Sequence, residues 1–425
     1  MNMKKMVMVI LFSLFFLSGC QKEELDKPLK IRLSGLQQAS EKTFFRTFVM
    51  LFEAEHGIDI ELEYESPDTM FDSVSNDTSI ADVIMVDTAR MSPYIEGNFM
   101  SNIDFIDYEA DRTFTTLFDG YTHKSVNRYF VPVSMDVYLS IYNKEALTYM
   151  PSSVGVERNE QNEVTEITNI TWQMISTWAK NIKQETDEAK FGFPYGQISS
   201  QLLYPITGLG LSMGIHQLPS FTDPGAVKAW QFLYDLKQHD ALAYGPTFGS
   251  LNQPTELLSS NELWISFGHM GPIGSAYLSS PSKYILGPIP KDESTNKAGT
   301  TAGAWAYGIL NESKNQKAAQ AWVKFITDPE INYLYCSGLG GVISPIMEVR
   351  THLGTSNSDK IMAMGLSMLE QNVVAQVVDT SNYTSWNEVK LLYTDLYQKL
   401  IEGFTIDGAL LTAYQDALDA LEKSI

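Results

Sequence analysis

Cysteine is nearly missing from this chain: there are two, Cys20 and Cys336, in 425 residues. A disulfide framework of the kind that staples small secreted folds is therefore excluded, and stability has to come from buried apolar surface. Histidine is scarce too. The six residues, at positions 56, 123, 216, 239, 269 and 352, include no pair at metal-ligand spacing, so a zinc site is not expected. Bases are outnumbered: 30 Lys and Arg stand against 51 Asp and Glu, a formal net charge of −21. Such a surface repels polyphosphate, which argues against nucleic acid as a partner. After residue 17 no apolar run approaches the roughly 20 residues that cross a bilayer as a helix, and no internal repeat is visible. What remains is ordinary for a globular protein. Apolar residues make up 44% and charged residues 19%, and the length suits two or three domains of about 100 to 200 residues each.

The amino end has three parts. Lys4 and Lys5 form a basic start, Val7 to Leu17 is almost unbroken apolar sequence, and Leu17, Ser18, Gly19 and Cys20 close it. A run this short fits an export signal rather than a membrane span. The LSGC ending resembles the lipobox of bacterial lipoproteins, and that resemblance implies cleavage before Cys20, whose thiol then carries the lipid. Removing residues 1–19 takes away two lysines and no acid, so the charge deepens by two. Residues 20–28 are short, polar and broken by Pro28, which reads as a tether. Cys336, in the apolar stretch Ile331 to Leu339, reads as a small buried hydrophobe.

From Lys30 the pattern runs strand, helix, strand: IRLSGL, then Glu41 to His56, then IDIELEY. Phe44, Phe48 and Phe52 share a stripe at helical spacing. Residues 81–87, ADVIMVD, form the apolar run of a strand covered on both faces. Alternating strands and helices predict an α/β fold with a mainly parallel sheet, whose ligand-facing edge is at the carboxyl ends of the strands, near Gly35 to Gln38 and near Asp87. Tyr129 to Asn143 is a long extended segment, and Ser153 to Asn169 a polar hairpin or loop. Thr171 is placed to cap one helix, Asp223 with Pro224 to start another, and Asp328 with Pro329 a third. The segment from Glu262 to Pro290 reads as short strands and glycines, and two amphipathic helices after Trp386 close the chain.

Two motif patterns bear on chemistry. Gly210, Leu211, Ser212, Met213 and Gly214 satisfy G-x-S-x-G, but that chemistry needs a strand before the serine and a helix after it, and here a helix precedes it and Pro219 follows closely. The same glycines fail the dinucleotide fingerprint because position 213 is Met, so no cofactor is expected. Aromatic side chains are plentiful instead, with seven Trp and 21 Tyr. Flat rings suit the C–H faces of sugars, while Asp, Asn and Gln hydrogen-bond the hydroxyls. Trp178, Trp230 and Trp322 lie on helix stripes and read as core. Trp264 and Trp305 lie in extended, Gly-rich stretches where a ring can stand beside a cleft.

Several stretches together resemble the extracellular solute-binding proteins of ABC importers, in the branch that includes maltose-binding protein. VPVSMDVYLSIYNKEAL, residues 131–147, is similar to the family's first crossing strand. LLSSNELWISFGHMGPIG resembles its small-residue turn at the cleft. GPIPKDESTNKAGTTAGAWAYGILNESKNQKAAQAWVKFITDPE resembles the second crossing and its helix. The sequence departs from the pattern where relatives have an aromatic in the first strand and this chain has Ser34, Gly35 and Leu36, and again where His269 and Met270 replace a plainer apolar pair. The resemblance implies an α/β, two-lobed periplasmic-binding-protein-like clamshell with crossing hinge segments. Its first lobe is expected from residues 29–137 and 303–338 and its second from 138–302 and 339–425.

Ligand contacts are expected from Gln37 and Asp87 of the first lobe, Asp136 and Tyr138 at the crossing, Gln201 and Tyr204, and Trp264 and Trp305 as stacking platforms. Asp136 is singled out because an acid in so apolar a strand needs a partner. The implied role is a monomeric, lipid-anchored protein on the outer face of the bacterial membrane. It captures an oligosaccharide and passes it to an ABC permease. Alternatives are a ligand-sensing partner of a membrane receptor kinase and, further off, a secreted hydrolase using Ser212.

Overall fold

The computed structural model describes residues 28–36, 39–106, 112–195, 200–244, 253–370, 373–378, 380 and 382–423. The leader, Cys20 and Gln37 lie outside the described residues. Strand β1 (Leu29–Leu33) is followed by α1 (Ala39–His56), β2 (Ile60–Tyr64), α2 (Pro67–Asn76) and β3 (Val83–Asp87). The stripe on α1 buries Phe45, Phe48, Val49 and Phe52, leaving Phe44 only partly covered. Phe52 meets Trp322 edge to face at 5.3 Å and Phe48 meets Tyr335 at 5.7 Å. Each such fully buried ring is worth about 1.5–3 kcal/mol of transfer free energy, so this contact fixes the helix against the helices that carry Trp322 and Tyr335.

Two of the five sheets among the described residues meet at the crossing. Strands β4 (Val131–Asp136) and β5 (Tyr138–Asn143) are separated by Val137 alone, yet they belong to different sheets. The long extended segment predicted over this stretch is thus broken at one residue, where the chain passes from one sheet to the other. The chain continues with α3 (Trp172–Thr186), α4 (Leu203–Ser212), α5 (Pro224–Gln238), β6 (Ile265–His269), α6 (Met270–Ser279), β7 (Tyr284–Gly287) and β8 (Lys297–Thr301). After Ala302 comes β9 (Gly303–Ile309), then α7 (Gln316–Ile326), α8 (Pro329–Gly338), α9 (Asn357–Glu370), β10 (Val374–Gln376), α10 (Trp386–Ile401) and α11 (Gly408–Asp419).

The first sheet has the order β2-β1-β3-β9-β4. β1 is parallel to β2 and β3, and β9 is antiparallel to both neighbours. The second is antiparallel, in the order β6-β5-β7, and every residue of β5 is buried. Tyr142 of β5 stacks on Trp178 of α3 at 5.4 Å, and Trp172 meets Phe267 at 4.9 Å. The predicted caps form: Thr171 accepts from Met174 N at 3.1 Å, Asp223 from Gly225 N at 2.9 Å and Asp328 from Glu330 N at 3.0 Å. Where a hairpin or loop was open over 153–169, residues 155–169 form a hairpin.

The crossings are tied together. Tyr138 N donates to Thr300 Oγ1 at 2.9 Å, and Met135 exchanges backbone hydrogen bonds with Ile343 at 2.7 and 3.0 Å. Ile346 also bridges to Phe114, so the stretch from Ile343 to Met347 lies against β4 and residues 113–114. Trp178, Trp230 and Trp322 are fully buried, as is Cys336, whose thiol is pushed up by burial and so stays protonated. No helix of the described residues is long and apolar enough to cross a membrane.

Candidate ligand-binding site

Strand register assembles the site. The pairing of β9 sets Trp305 opposite Asp87 of β3 and opposite Ser134 of β4, and Gly303 opposite Asp136. The register to β4 shifts between Trp305 and Ala306, a bulge-like irregularity. Such irregularities bend a strand and re-aim its side chains, here at a partly exposed ring. Gly35, in the turn after β1, makes room for that ring. A Cβ there would sit 2.7 Å from Trp305 Cδ2 and 2.8 Å from Met85 Cε, closer than real contacts allow. Across the crossing, β6 pairs with β5 so that His269 lies opposite Tyr138.

A cavity of about 490 Å³ opens between these strand ends. Gly35, Glu41, Asp87, Arg90 and Trp305 line one side of it, and Asp136, Thr301 and Ala302 line it at the crossings. Gln201, Tyr204, His269, Asn387 and Lys390 close it from the other side. Its charges are largely paired. Asp87 accepts from Ala89 N at 3.0 Å and from Arg90 Nη1 at 2.5 Å. Asp136 Oδ1 accepts from Met270 N at 2.7 Å, while its Oδ2 lies 3.4 Å from His269 Nδ1. Glu41 and Lys390 add one charge of each sign.

Aromatic rings surround His269. Tyr138, Tyr204 and Tyr195 meet it with centroids at 4.7, 5.9 and 6.4 Å. Burial, followed by the neighbouring Tyr195, raises Tyr138 well above the ordinary phenol range, so its hydroxyl remains a donor. Trp386, the first residue of α10, donates its indole N–H to Tyr204 Oη at 3.3 Å.

The residues singled out from sequence fall in different places. Asp87, Asp136, Gln201, Tyr204 and Trp305 line the cavity. Asp87 also caps the short 3₁₀ turn Thr88–Arg90. Tyr138 is fully buried behind His269 and does not line it. Trp264 precedes β6, at the opposite end of that strand from His269, roughly 16 Å away at the strand rise. Its ring stacks on Tyr149 at 6.0 Å beneath Lys190, and it is 9% exposed, so the structure gives it a packing position rather than a place on the cavity wall. Gln37 lies outside the described residues. Sequence reasoning passed over Glu41, Arg90, Asn387, Lys390 and Thr301. Only Arg90 had a local signal, its i+3 spacing from Asp87. His269 stands out in the sequence only as a departure from the family turn.

Ser212 ends α4, completely buried. Its Oγ accepts from Gly299 N at 2.8 Å and donates to Gly208 O at 3.4 Å. It staples β8 to α4 and has neither the strained turn nor the exposure a nucleophile requires. Ser212→Ala strands the Gly299 N–H in the core, which costs about 1–3 kcal/mol. The expected result is a lower urea midpoint with ligand affinity unchanged. Among the described residues no group of three His, Cys, Asp or Glu is arranged to hold a metal ion.

Residues 30–333 match the family described as bacterial extracellular solute-binding protein. The chain belongs to that family. Members carry solute outside the cytoplasm and are not enzymes, which places this protein's work extracytoplasmically and in binding. Solved structures repeat its two-lobed fold over nearly their whole length. The GacH receptor of Streptomyces glaucescens, solved unliganded and with acarbose, is 16% identical. It covers 93% of this chain and 99% of its own, with a TM-score of 0.70. Maltose-bound MalE3 of T. maritima is 17% identical at 92% and 99% coverage, also with a TM-score of 0.70. UgpB of Mycobacterium tuberculosis, in complex with glycerophosphocholine, is 14% identical at 93% and 98% coverage and the same TM-score.

Proposed function

We propose that this solute-binding protein captures a neutral carbohydrate, an oligosaccharide, in the interlobe cavity and delivers it to the permease subunits of an ABC transporter. The observation that carries the reading is Trp305: a partly exposed indole face on the cavity wall, held there by Gly35 and flanked by Asp87, whose charge Arg90 matches, and by Asp136. An indole offers an apolar face to sugar C–H groups, and the carboxylates offer acceptors to its hydroxyls. Size agrees, since small-molecule sites run from about 300 to 1,000 Å³. The relatives solved with acarbose and with maltose support a saccharide, and UgpB shows the fold accepting a phosphodiester.

In this reading the first lobe comprises residues 29–137 and 303–338 and the second 138–302 and 339–425, with Ile343 to Met347 laid against the first. Ligand touching both lobes favours the closed arrangement by its differential affinity. A lipid on Cys20 holds the protein at the outer face of the membrane, and the acidic exterior keeps the rest off anionic headgroups. A thermal-shift panel tests the ligand class. Neutral saccharides are expected to raise the melting temperature, since 100-fold excess over Kd adds about 2.7 kcal/mol of stability. A rise with amines, amino acids or divalent metals and none with saccharides refutes the carbohydrate reading.

A further inference from the structure

We infer that Asp136 is a positioning residue: its carboxylate caps helix α6 from the neighbouring sheet and so sets part of the cavity wall at a fixed distance from Trp305. The inference rests on the carbohydrate reading above and deepens it by naming what fixes the width of the site. Helix α6 needs an outside acceptor. The first N–H groups of a helix have no intrahelical partner, and here His269, the residue before α6, makes no side-chain cap and the first turn holds no acid. Met270 N, the first donor of the helix, turns instead to the first crossing. Asp136 Oδ1 accepts from it at 2.7 Å and Val137 O at 3.1 Å. The carboxylate makes the shorter and stronger of the two bonds, and it also meets the positive end of the helix dipole.

The two ends of this bond are anchored in different sheets. Asp136 ends β4 opposite Gly303 of β9, and Trp305 stands two residues further along that strand, opposite Ser134. Met270 follows β6 of the other sheet, and His269 and Pro272 on either side of it line the cavity. The bond therefore runs from the strand pair that carries the indole to the start of the helix that carries part of the wall. Val137 O cannot do the same, because Val137 lies between the two strands and belongs to neither. Along its side α6 is backed by the turn at Gly340, whose O would stand 2.1 Å from a Cβ on Gly274. Cap and turn together give the helix a single seat. Asp136 also lines the cavity, with its side chain 26% exposed, so direct contact with solute is the rival role and the test has to separate the two.

Asp136→Ala removes the acceptor, whereas Asp136→Asn keeps one, since Asn caps helices about as well as Asp. In protein labelled with ¹⁵N-methionine, Met270 gives one amide resonance, identified by its absence in Met270→Leu. Without solute, this amide is expected to be protected from hydrogen exchange in the wild type. Asp136→Ala should speed its exchange about fivefold or more, the size of a lost helix cap, and Asp136→Asn should stay within about threefold. Calorimetric titrations with maltose, maltotriose, D-galactose and D-mannitol supply the second readout. The tightest of these is expected to weaken about tenfold in Asp136→Ala and to stay within about threefold of wild type in Asp136→Asn. Should melting curves show that Asp136→Ala does not fold, the wild-type exchange and Asp136→Asn still decide. A freely exchanging Met270 amide in the wild type, or unchanged exchange in Asp136→Ala, overturns the cap. An Asp136→Asn protein that keeps the amide protected yet loses affinity tenfold shows the carboxylate acting on solute directly, which overturns the positioning role and leaves the carbohydrate reading standing. Failure of the wild type to bind any of the four sugars overturns that reading, and the cap is then decided by the Met270 amide alone.

Discussion

Trp305→Ala lowers solute affinity roughly 100-fold, about 2.7 kcal/mol, while leaving the fold nearly as stable as before. A buried indole contributes on the order of 150–250 Å² of contact surface. If a sugar covers about half of it, the transfer term at about 25 cal/mol per Å² is near 2–3 kcal/mol, the size of a binding hot spot. The ring is partly exposed without ligand, so truncation opens little cavity in the core. Gly35→Ala makes a sharper version of the test, because it keeps the indole and moves it. The added Cβ, 2.7 Å from Trp305 Cδ2, pushes the platform toward the cavity, and affinity should fall by a similar order. Calorimetric titration measures both. A Trp305→Ala protein that binds saccharide as tightly as wild type means that the ligand rests elsewhere.

Gly274→Ala is expected to destabilise the protein by about 3 kcal/mol, the upper end of what overpacking usually costs. Helix α6 lies on the turn at Gly340 and Gly341, and a Cβ on Gly274 would stand 2.1 Å from Gly340 O. Neither side of this contact is a flexible side-chain end. The turn residues Gly340 and Gly341 have φ of +89° and +84°, a region that other residues rarely adopt. Relief has to come from moving α6, whose first N–H is the one bound to Asp136, so ligand affinity should drop with stability. Gly408→Ala is the control: no atom lies within 4 Å of its added Cβ, and the change should be neutral or stabilising by up to about 1 kcal/mol. Urea denaturation midpoints compare the two. Equal midpoints contradict the close packing of α6 on the turn.

Much of the scaffold was legible because its signals are local. The caps at Thr171, Asp223 and Asp328 and the stripes carrying Trp178, Trp230 and Trp322 each follow from a few neighbouring residues. Helix α6 was hidden, since Gly271, Pro272 and Gly274 look like breakers. Pro272 lies in the first turn, where its missing N–H costs nothing, and Gly274 is small because Gly340 is so close. The site was legible only in part. Trp264 and Trp305 sit in similar extended sequence, and what separates them is tertiary: one is covered by Tyr149 and Lys190, the other is turned outward where the register to β4 shifts. Asp136 could be chosen as a buried-strand acid in need of a partner, but the partner, Met270 N, is 134 positions away and was fixed only by the register of β6 on β5.

Capture between two lobes is the central claim, and small-angle X-ray scattering with and without the saccharide that gives the largest thermal shift tests it most directly. At saturation the radius of gyration is predicted to fall, because ligand bridging Trp305 and the second-lobe wall stabilises the closed arrangement. Trp305→Ala at the same saccharide concentration should scatter like the unliganded protein. Stoichiometric saccharide binding with no change in the radius of gyration contradicts the account.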